Sequence, residues 1–362
     1  MNEDYHFFNT QIAFLLIFIA SYLVPQKAHA QTVSENLFYM VDSETSFQSF
    51  KNNIDQISII GPQVFSINEH GVVWGEVDAR VLKLAKKHEV KVMPLVMNPG
   101  FDRELFHKVL TNEEAQDRII NYLIHLAQKY DFYGWQFDFE NVNVTDRDRL
   151  TAFYQKTART LHDEGLKISI AVVPRDSDYD IPTSYHYFIF KDWRSPYDYK
   201  ALAEAGDFLS YMTYSQHTRR TTPGPVAGMP WMTHMIKFIL DQGVDPQKIS
   251  IGIPIYSYHW YSQYTEGQGA SATASGLSYQ STAGLIDRYD AKKVWLDDQK
   301  CYYAMWDHDG LFEYAFLEDQ RSFKARLELL DQYDFRGISV WRLGQEDPGI
   351  WDVLQKQVQT AH

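Results

Sequence analysis

Cysteine is nearly absent from the 362-residue chain: Cys301 is the only one. That excludes an intramolecular disulfide and any metal cluster with cysteine spacing. Cys301 stands in the run Cys301-Tyr302-Tyr303 with no motif around it, and reads as a small buried apolar residue rather than a nucleophile. Positive charge is also scarce, with 34 Lys and Arg against 47 Asp and Glu for a formal charge of −13. There is no Lys/Arg stripe to displace counterions from phosphates, so nucleic acid is excluded as a partner. Long hydrophobic runs are missing apart from Ile12–Val24 (IAFLLIFIASYLV), which is too short to span a bilayer comfortably. Ala28-His29-Ala30 follows it with the small-x-small pattern of a cleavage site. Residues 1–30 therefore read as an export signal, although Glu3 and Asp4 stand where Lys or Arg is usual. Cleavage after Ala30 would leave a mature chain, 31–362, without a membrane span, exported to the periplasm or the cell exterior. Retention of the segment as an anchor is the alternative.

Aromatic residues are plentiful: 15% of the chain, with 24 Tyr, 22 Phe and 9 Trp. Most of these rings serve a large core, but a surplus of flat rings also suits sugar binding, because the axial C–H face of a pyranose packs on an aromatic plane. Strand-like and helix-like segments alternate along the mature chain, the pattern of a parallel sheet with crossover helices. Eight strands are expected, at Asn36–Val41, Ile57–Phe65, Lys91–Met97, Gly134–Glu140, Lys167–Val173, Phe208–Tyr214, Lys248–Tyr256 and Gly337–Trp341. Most are continuous apolar runs, as strands covered on both faces should be. Thr111-x-x-Glu114 and Thr145-x-x-Asp148 read as helix starts, and Gly165 as a helix stop. Eight such units predict an α/β fold, a (β/α)8 (TIM) barrel. Between strands seven and eight, about 261–319, the sequence predicts a small α+β insertion at the barrel rim. It contains a Gly/Ser/Ala-rich segment (266–276), a helix, and a hairpin turning at Asp307-His308-Asp309-Gly310. Turn chemistry accounts for that Asp/His cluster, and neither a metal nor a cofactor is expected.

The segment Tyr133-Gly134-Trp135-Gln136-Phe137-Asp138-Phe139-Glu140 carries the chemistry. Side chains alternate along a strand, so Trp135, Phe137 and Phe139 face the helices while Gln136, Asp138 and Glu140 face the barrel axis. Polar groups inside a barrel are costly unless they satisfy one another or act. A polar ladder fixing strand register is the bland alternative. Glu140 falls at the C-terminal end of its strand, where barrel enzymes place their catalytic groups.

This segment resembles the DGxDxDxE signature of glycoside hydrolase family 18, the chitinases and their relatives. It is most similar to the spore-cortex and peptidoglycan-lytic branch, where the ending is commonly DFEN, as in Asp138-Phe139-Glu140-Asn141. Other family-like tags follow in order: Pro94-Leu95-Val96 with Asn98, Ala171-Val172-Val173-Pro174, Tyr211-Met212-Thr213-Tyr214, Gly252-Ile253-Pro254-Ile255-Tyr256, and Trp341-Arg342-Leu343-Gly344. The resemblance implies a substrate-assisted retaining hydrolysis, in which the sugar's 2-acetamido oxygen attacks C1 and no protein carboxylate forms the covalent intermediate. It implies Glu140 as general acid/base, Asp138 as the carboxylate that holds the acetamido N–H and stabilises the oxazolinium, and Tyr214 as donor to the acetamido oxygen. Trp341 is implied as the floor of the cleavage subsite, with Gln136, Tyr39, Met212 and Tyr256 as further substrate-binding positions. An anionic Asp138 would raise the pKa of Glu140. Three positions depart from the pattern: Tyr133 and Gln136 replace motif carboxylates, and Ser215 stands where many members carry Asp. Gln136 is expected to hydrogen-bond Asp138 without being able to share its proton.

The implied partner is an N-acetylglucosamine-containing polymer, with chitin, peptidoglycan and N-glycan cores all open, and a monomer is expected. The alternatives are a non-catalytic chitinase-like carbohydrate-binding protein and a barrel hydrolase working with two protein carboxylates. The stretch from Asp176 to Pro196, with Tyr185, His186, Tyr187, Phe188 and Trp193, reads equally as a rim of sugar-binding rings or as a packed loop.

Overall fold

The computed structural model describes residues 35–178, 183–265 and 269–359; the proposed signal segment lies outside them. Eight parallel strands close on themselves: β1 (Glu35–Met40), β2 (Ile59–Ile67), β3 (Lys91–Val92 and Leu95–Met97), β4 (Gly134–Phe137), β5 (Lys167–Val172), β6 (Phe208–Tyr211), β7 (Ile249–Pro254) and β8 (Gly337–Trp341). Closure is made by β1, which pairs with β8 through Glu35 and Gly337 and with β2 through Leu37 and Ile59. Between the strands the chain crosses over through helices, so the expected (β/α)8 barrel is the observed fold.

Alternation along each strand sorts side chains into two layers. Phe38, Ile60, Trp135, Phe137, Ile170, Leu209, Ile251 and Val340 enter the apolar layer between strands and helices, while Leu37, Tyr39, Ile59, Met93, Leu95 and Phe208 fill the barrel's inside. Four buried serines, Ser169, Ser210, Ser250 and Ser339, also lie in this strand layer, and Ser250 and Ser339 hydrogen-bond each other at 2.7 Å. Burying apolar area of this kind is the main stabilising term of the domain.

Two helix starts lie slightly away from their expected positions. Asn112, not Thr111, caps the helix Glu113–Tyr130 by accepting from the Ala115 amide at 3.1 Å; Thr111 closes the preceding helix, donating to the His107 carbonyl. Asn143, not Thr145, accepts from the Thr145 amide at 3.0 Å, and a 3-10 turn, Val144–Asp146, leads into the helix Arg147–Asp163. Asn ranks at least with Thr as a cap. Gly165 ends that helix at φ +74 as expected.

The insertion after β7 is present but begins four residues early, at Ser257. Its strands Ser257–Thr265, Gly269–Leu277, Val294–Leu296, Cys301–His308 and Leu311–Leu317 form an antiparallel sheet with the helix Tyr279–Arg288 on one face. The described part of the Gly/Ser/Ala-rich segment, from Gly269 on, is an edge strand of this sheet. The hairpin turns where expected, with Asp309 and Gly310 both at positive φ, as a tight two-residue turn requires. Among the described residues no helix is long and apolar enough to cross a membrane.

Candidate active site

Strand β4 orients the site through its outward faces. Trp135 donates its indole N–H to the Leu123 carbonyl at 3.0 Å, Phe137 meets Phe153 and Tyr154, and Phe139 stacks on Phe106 at 4.2 Å. With those three rings locked among helices, Gln136, Asp138 and Glu140 point inward. The turn after the strand is tied from two sides. Asn98, fully buried, accepts from the Glu140 amide at 3.2 Å and donates to its carbonyl at 3.0 Å. Tyr197 donates to the Phe139 carbonyl at 2.9 Å, and Arg175 in turn binds the Tyr197 carbonyl at 2.7 Å. Asn141 lies in the left-handed region at φ +56, where Asn is among the few residues tolerated, and its amide donates to the Phe101 carbonyl.

The site has an upper and a lower tier. Glu140, Tyr214, Trp341 and Gln63 keep part of their surface open to solvent, whereas Asp138, Gln136 and Tyr39 lie buried beneath. Asp138 receives a hydrogen bond from the Gln63 amide at 3.0 Å. Burial pushes its carboxyl up to about 6, while the Gln63 bond pulls the other way. Glu140 is raised well above the ordinary carboxyl range, first by desolvation and then by the Asp138 charge. Its carboxyl makes no hydrogen bond among the described residues, which leaves it free to address a ligand.

One expectation is corrected here. Gln136 does not reach Asp138; its amide donates to the Tyr39 hydroxyl at 2.9 Å, and Tyr39 shares a 2.5 Å bond with Ser210. The Gln136 amide therefore serves the barrel interior, and its own carbonyl oxygen has no partner among the described residues. Tyr39, 1% exposed, lies under Trp341 with ring centroids 5.5 Å apart. Burial drives its hydroxyl pKa far upward, so it stays a neutral donor.

Tyr214 is presented by the segment after β6. There Gly252 lets two strands approach closely: a β-carbon on it would come within 2.6 Å of the Tyr211 carbonyl. Thr213 hydrogen-bonds the Gly252 carbonyl at 2.7 Å. Met212 is buried in the same segment. Ser215, at φ +62, bonds the Tyr256 hydroxyl at 2.9 Å. A path of rings leaves the site through Tyr214–Tyr256, Tyr256–Tyr258 and Tyr258–Trp260, with centroid separations of 6.4, 5.7 and 5.4 Å. It reaches a cavity of about 430 Å³ on the insert, lined by Trp260, Tyr261, Tyr303, Phe312, Tyr314 and Phe316.

The stretch from Asp176 to Pro196 is helical over Ser184–Arg194. Asp192 fastens it, accepting from Arg103 at 2.6 Å and from Asn143 at 3.0 Å, and Trp193 packs edge-on to Phe101. Tyr187 is exposed, while Tyr185 and His186 lie outside the described side chains. Sequence reasoning assigned no role to Gln63 or Tyr197. The available signal for Gln63 was the one amide side chain in a mostly apolar strand.

A closed α/β barrel that carries two desolvated carboxyls at its C-terminal mouth, with rings leading away, defines a barrel glycoside hydrolase. The chain belongs to the glycosyl hydrolases family 18, whose model matches residues 36–346. It is 25% identical to the glycosylase YvbX of Bacillus subtilis over 346 residues, 91% of this chain and 93% of that protein. It is 26% identical to the cortical fragment-lytic enzyme of the same organism over 320 residues, 87% of this chain and 71% of the relative. Among solved structures, a chitinase from Chromobacterium violaceum superposes with a TM-score of 0.79 at 25% identity, covering 90% of this chain and 99% of that one.

Proposed function

We propose that the chain hydrolyses β-linked N-acetylated amino-sugar polymers by a substrate-assisted retaining mechanism. The observation that carries the reading is the inward pair just past the C-terminal end of β4, a hydrogen-bonded Asp138 beneath a partly open, desolvated Glu140. Glu140, kept protonated by burial and by the Asp138 charge, gives its proton to the glycosidic oxygen as the C1–O bond breaks. The substrate's acetamido oxygen closes on C1, and the positive charge of the resulting oxazolinium falls to the Asp138 carboxylate, which also accepts the acetamido N–H. Tyr214, whose hydroxyl burial and nearby anions keep neutral, donates to the acetamido oxygen. Glu140, now ionised, takes a proton from the water that opens the ring, restoring both groups.

Trp341, partly exposed above Tyr39, supplies the floor for the sugar ring, and Tyr256 and Met212 shape the wall. Gln136 and Tyr39 act one layer below, holding the floor. The names of the relatives point to chitin or spore-cortex fragments as the polymers to try first. The proposed export signal at 1–30 would deliver the enzyme to either.

The test is product analysis by mass spectrometry on N-acetylglucosamine oligomers and on purified peptidoglycan, with wild type and Glu140→Gln. Cleavage by wild type alone supports the reading. Sugar binding by both proteins with cleavage by neither makes the protein a lectin. Cleavage without inhibition by a thiazoline mimic of the oxazolinium would favour a mechanism with two protein carboxylates.

A further inference from the structure

The family pattern assigns the position two residues before Asp138 as that carboxylate's partner, yet here Gln136 turns to Tyr39. The partner comes instead from β2. Its segment Gln63-Val64-Phe65 faces only Leu95-Val96 of β3, so one extra residue is inserted and the ladder shifts. Such bulges re-aim a side chain and are found beside active sites. This one has two effects. Val64 and Phe65 can both pack on the outer layer, Phe65 lying 5.0 Å from Trp135, whereas strict alternation would have sent Phe65 into the barrel. Gln63 stays on the inward side of the bulge, and its amide reaches Asp138 Oδ2 at 3.0 Å. Pro62, which has no N–H to lose from the ladder, sits comfortably beside such an irregularity.

We propose that Gln63 is the positioning residue for Asp138: delivered by the bulge in β2, its amide takes over the task that Gln136 has given up. The inference rests on the function proposed above for Asp138. A neutral amide differs in kind from a carboxyl partner. It cannot trade a proton with Asp138, and it donates only to the lone pairs of Oδ2, which favours the anion and fixes which oxygen is left for the substrate N–H. The titratable groups facing Asp138 are Glu140 from the same segment after β4, Tyr39 from β1, Tyr197 from the segment after β5, and Tyr214 after β6, with Tyr256 near Glu140. The phenols are all driven upward by burial and stay neutral, so a change at Gln63 acts on the carboxyl pair.

The experiment compares wild type with Gln63→Leu, similar in volume but with no donor, and Gln63→Glu, which donates only while protonated. In Gln63→Leu, kcat should fall about 10- to 100-fold, as expected for one hydrogen bond to a charged group, with KM within about threefold. The acid limb of the kcat/KM profile should move up by about one pH unit. Gln63→Glu should recover activity only on the acid side. In the resting protein, the carboxyl ¹³C signal of Asp138, assigned with Asp138→Asn, should titrate at higher pH in Gln63→Leu than in wild type. An unmoved Asp138 titration overturns the proposal whether or not any sugar is cleaved. Wild-type cleavage with an unaltered Gln63→Leu profile overturns it as well. A wild type that cleaves no N-acetylated oligomer refutes the proposed function alone, and the ¹³C titration still decides the role of Gln63.

Discussion

Replacing Asp138 by asparagine should make the protein more stable at neutral pH while abolishing its activity. The side chain is 3% exposed, and burial raises its carboxyl from 3.8 to about 6. A folded-state value above the unfolded one means that the folded protein holds this proton more tightly. Stability is therefore highest below about pH 4 and falls as pH rises toward 6, after which the loss is complete. A rise of roughly two units corresponds to about 3 kcal/mol of stability surrendered at pH 7. Asparagine never ionises, and its carbonyl can still accept from Gln63. The Asp138 charge also raises Glu140, so its removal eases that penalty too. Urea unfolding at pH 4, 5, 6 and 7.5, followed by tryptophan fluorescence, measures the difference between the two proteins. The variant should gain up to about 3 kcal/mol at pH 7.5 and close to nothing at pH 4. A pH-independent difference, or a variant less stable at pH 7.5, would refute the reasoning. A gain of this kind is the usual trade between stability and a strained, charged site.

Asn98→Ala should destabilise the fold by about 1–3 kcal/mol, because it strips the buried hydrogen bonds that hold the Glu140 main chain; chemical denaturation reads the loss, and kcat should fall with it. Arg326→Met should cost about 3–5 kcal/mol at pH 8 by leaving the buried Glu318 without its partner at 2.7 Å. Burial already pushes the Glu318 carboxyl up to about 7, so the loss should shrink at pH 5, where Glu318 is protonated; thermal unfolding at both pH values checks it. Trp341→Ala should raise KM for oligosaccharides about tenfold and cost about 2–3 kcal/mol of stability, since the ring is only partly exposed and packs on Tyr39 and the inner cluster; steady-state kinetics and chemical denaturation decide.

Much of the barrel could be read from residue patterns alone, because strands covered on both faces need unbroken apolar runs and the helices between them need caps. The orientation of Gln136, Asp138 and Glu140 followed from the two-residue period of a strand flanked by Trp135, Phe137 and Phe139. What escaped depended on register between distant segments. The bulge that aims Gln63 is defined only by how β2 lies against Leu95 and Val96, and nothing local marks it. Gln136 could be expected to bond Asp138 by proximity in sequence, but its amide finds the buried Tyr39 hydroxyl from β1 instead. The insert's start at Ser257 was hidden because β7 runs into it through Ile255 and Tyr256 with only a brief break. Helix starts slipped by one or two residues where Asn112 and Asn143 offered alternative caps to threonine.

The most direct test of Glu140 as proton donor is the dependence of its loss on the leaving group. Glu140→Gln should cut kcat by about 10²–10⁴-fold on an N-acetylglucosamine oligomer, whose departing alkoxide needs a proton. On an aryl glycoside with a strongly acidic phenol as leaving group, which departs without protonation, the same substitution should cost far less in the bond-breaking step. An equal loss on both substrates, or full activity of Glu140→Gln on the oligomer, would contradict the account.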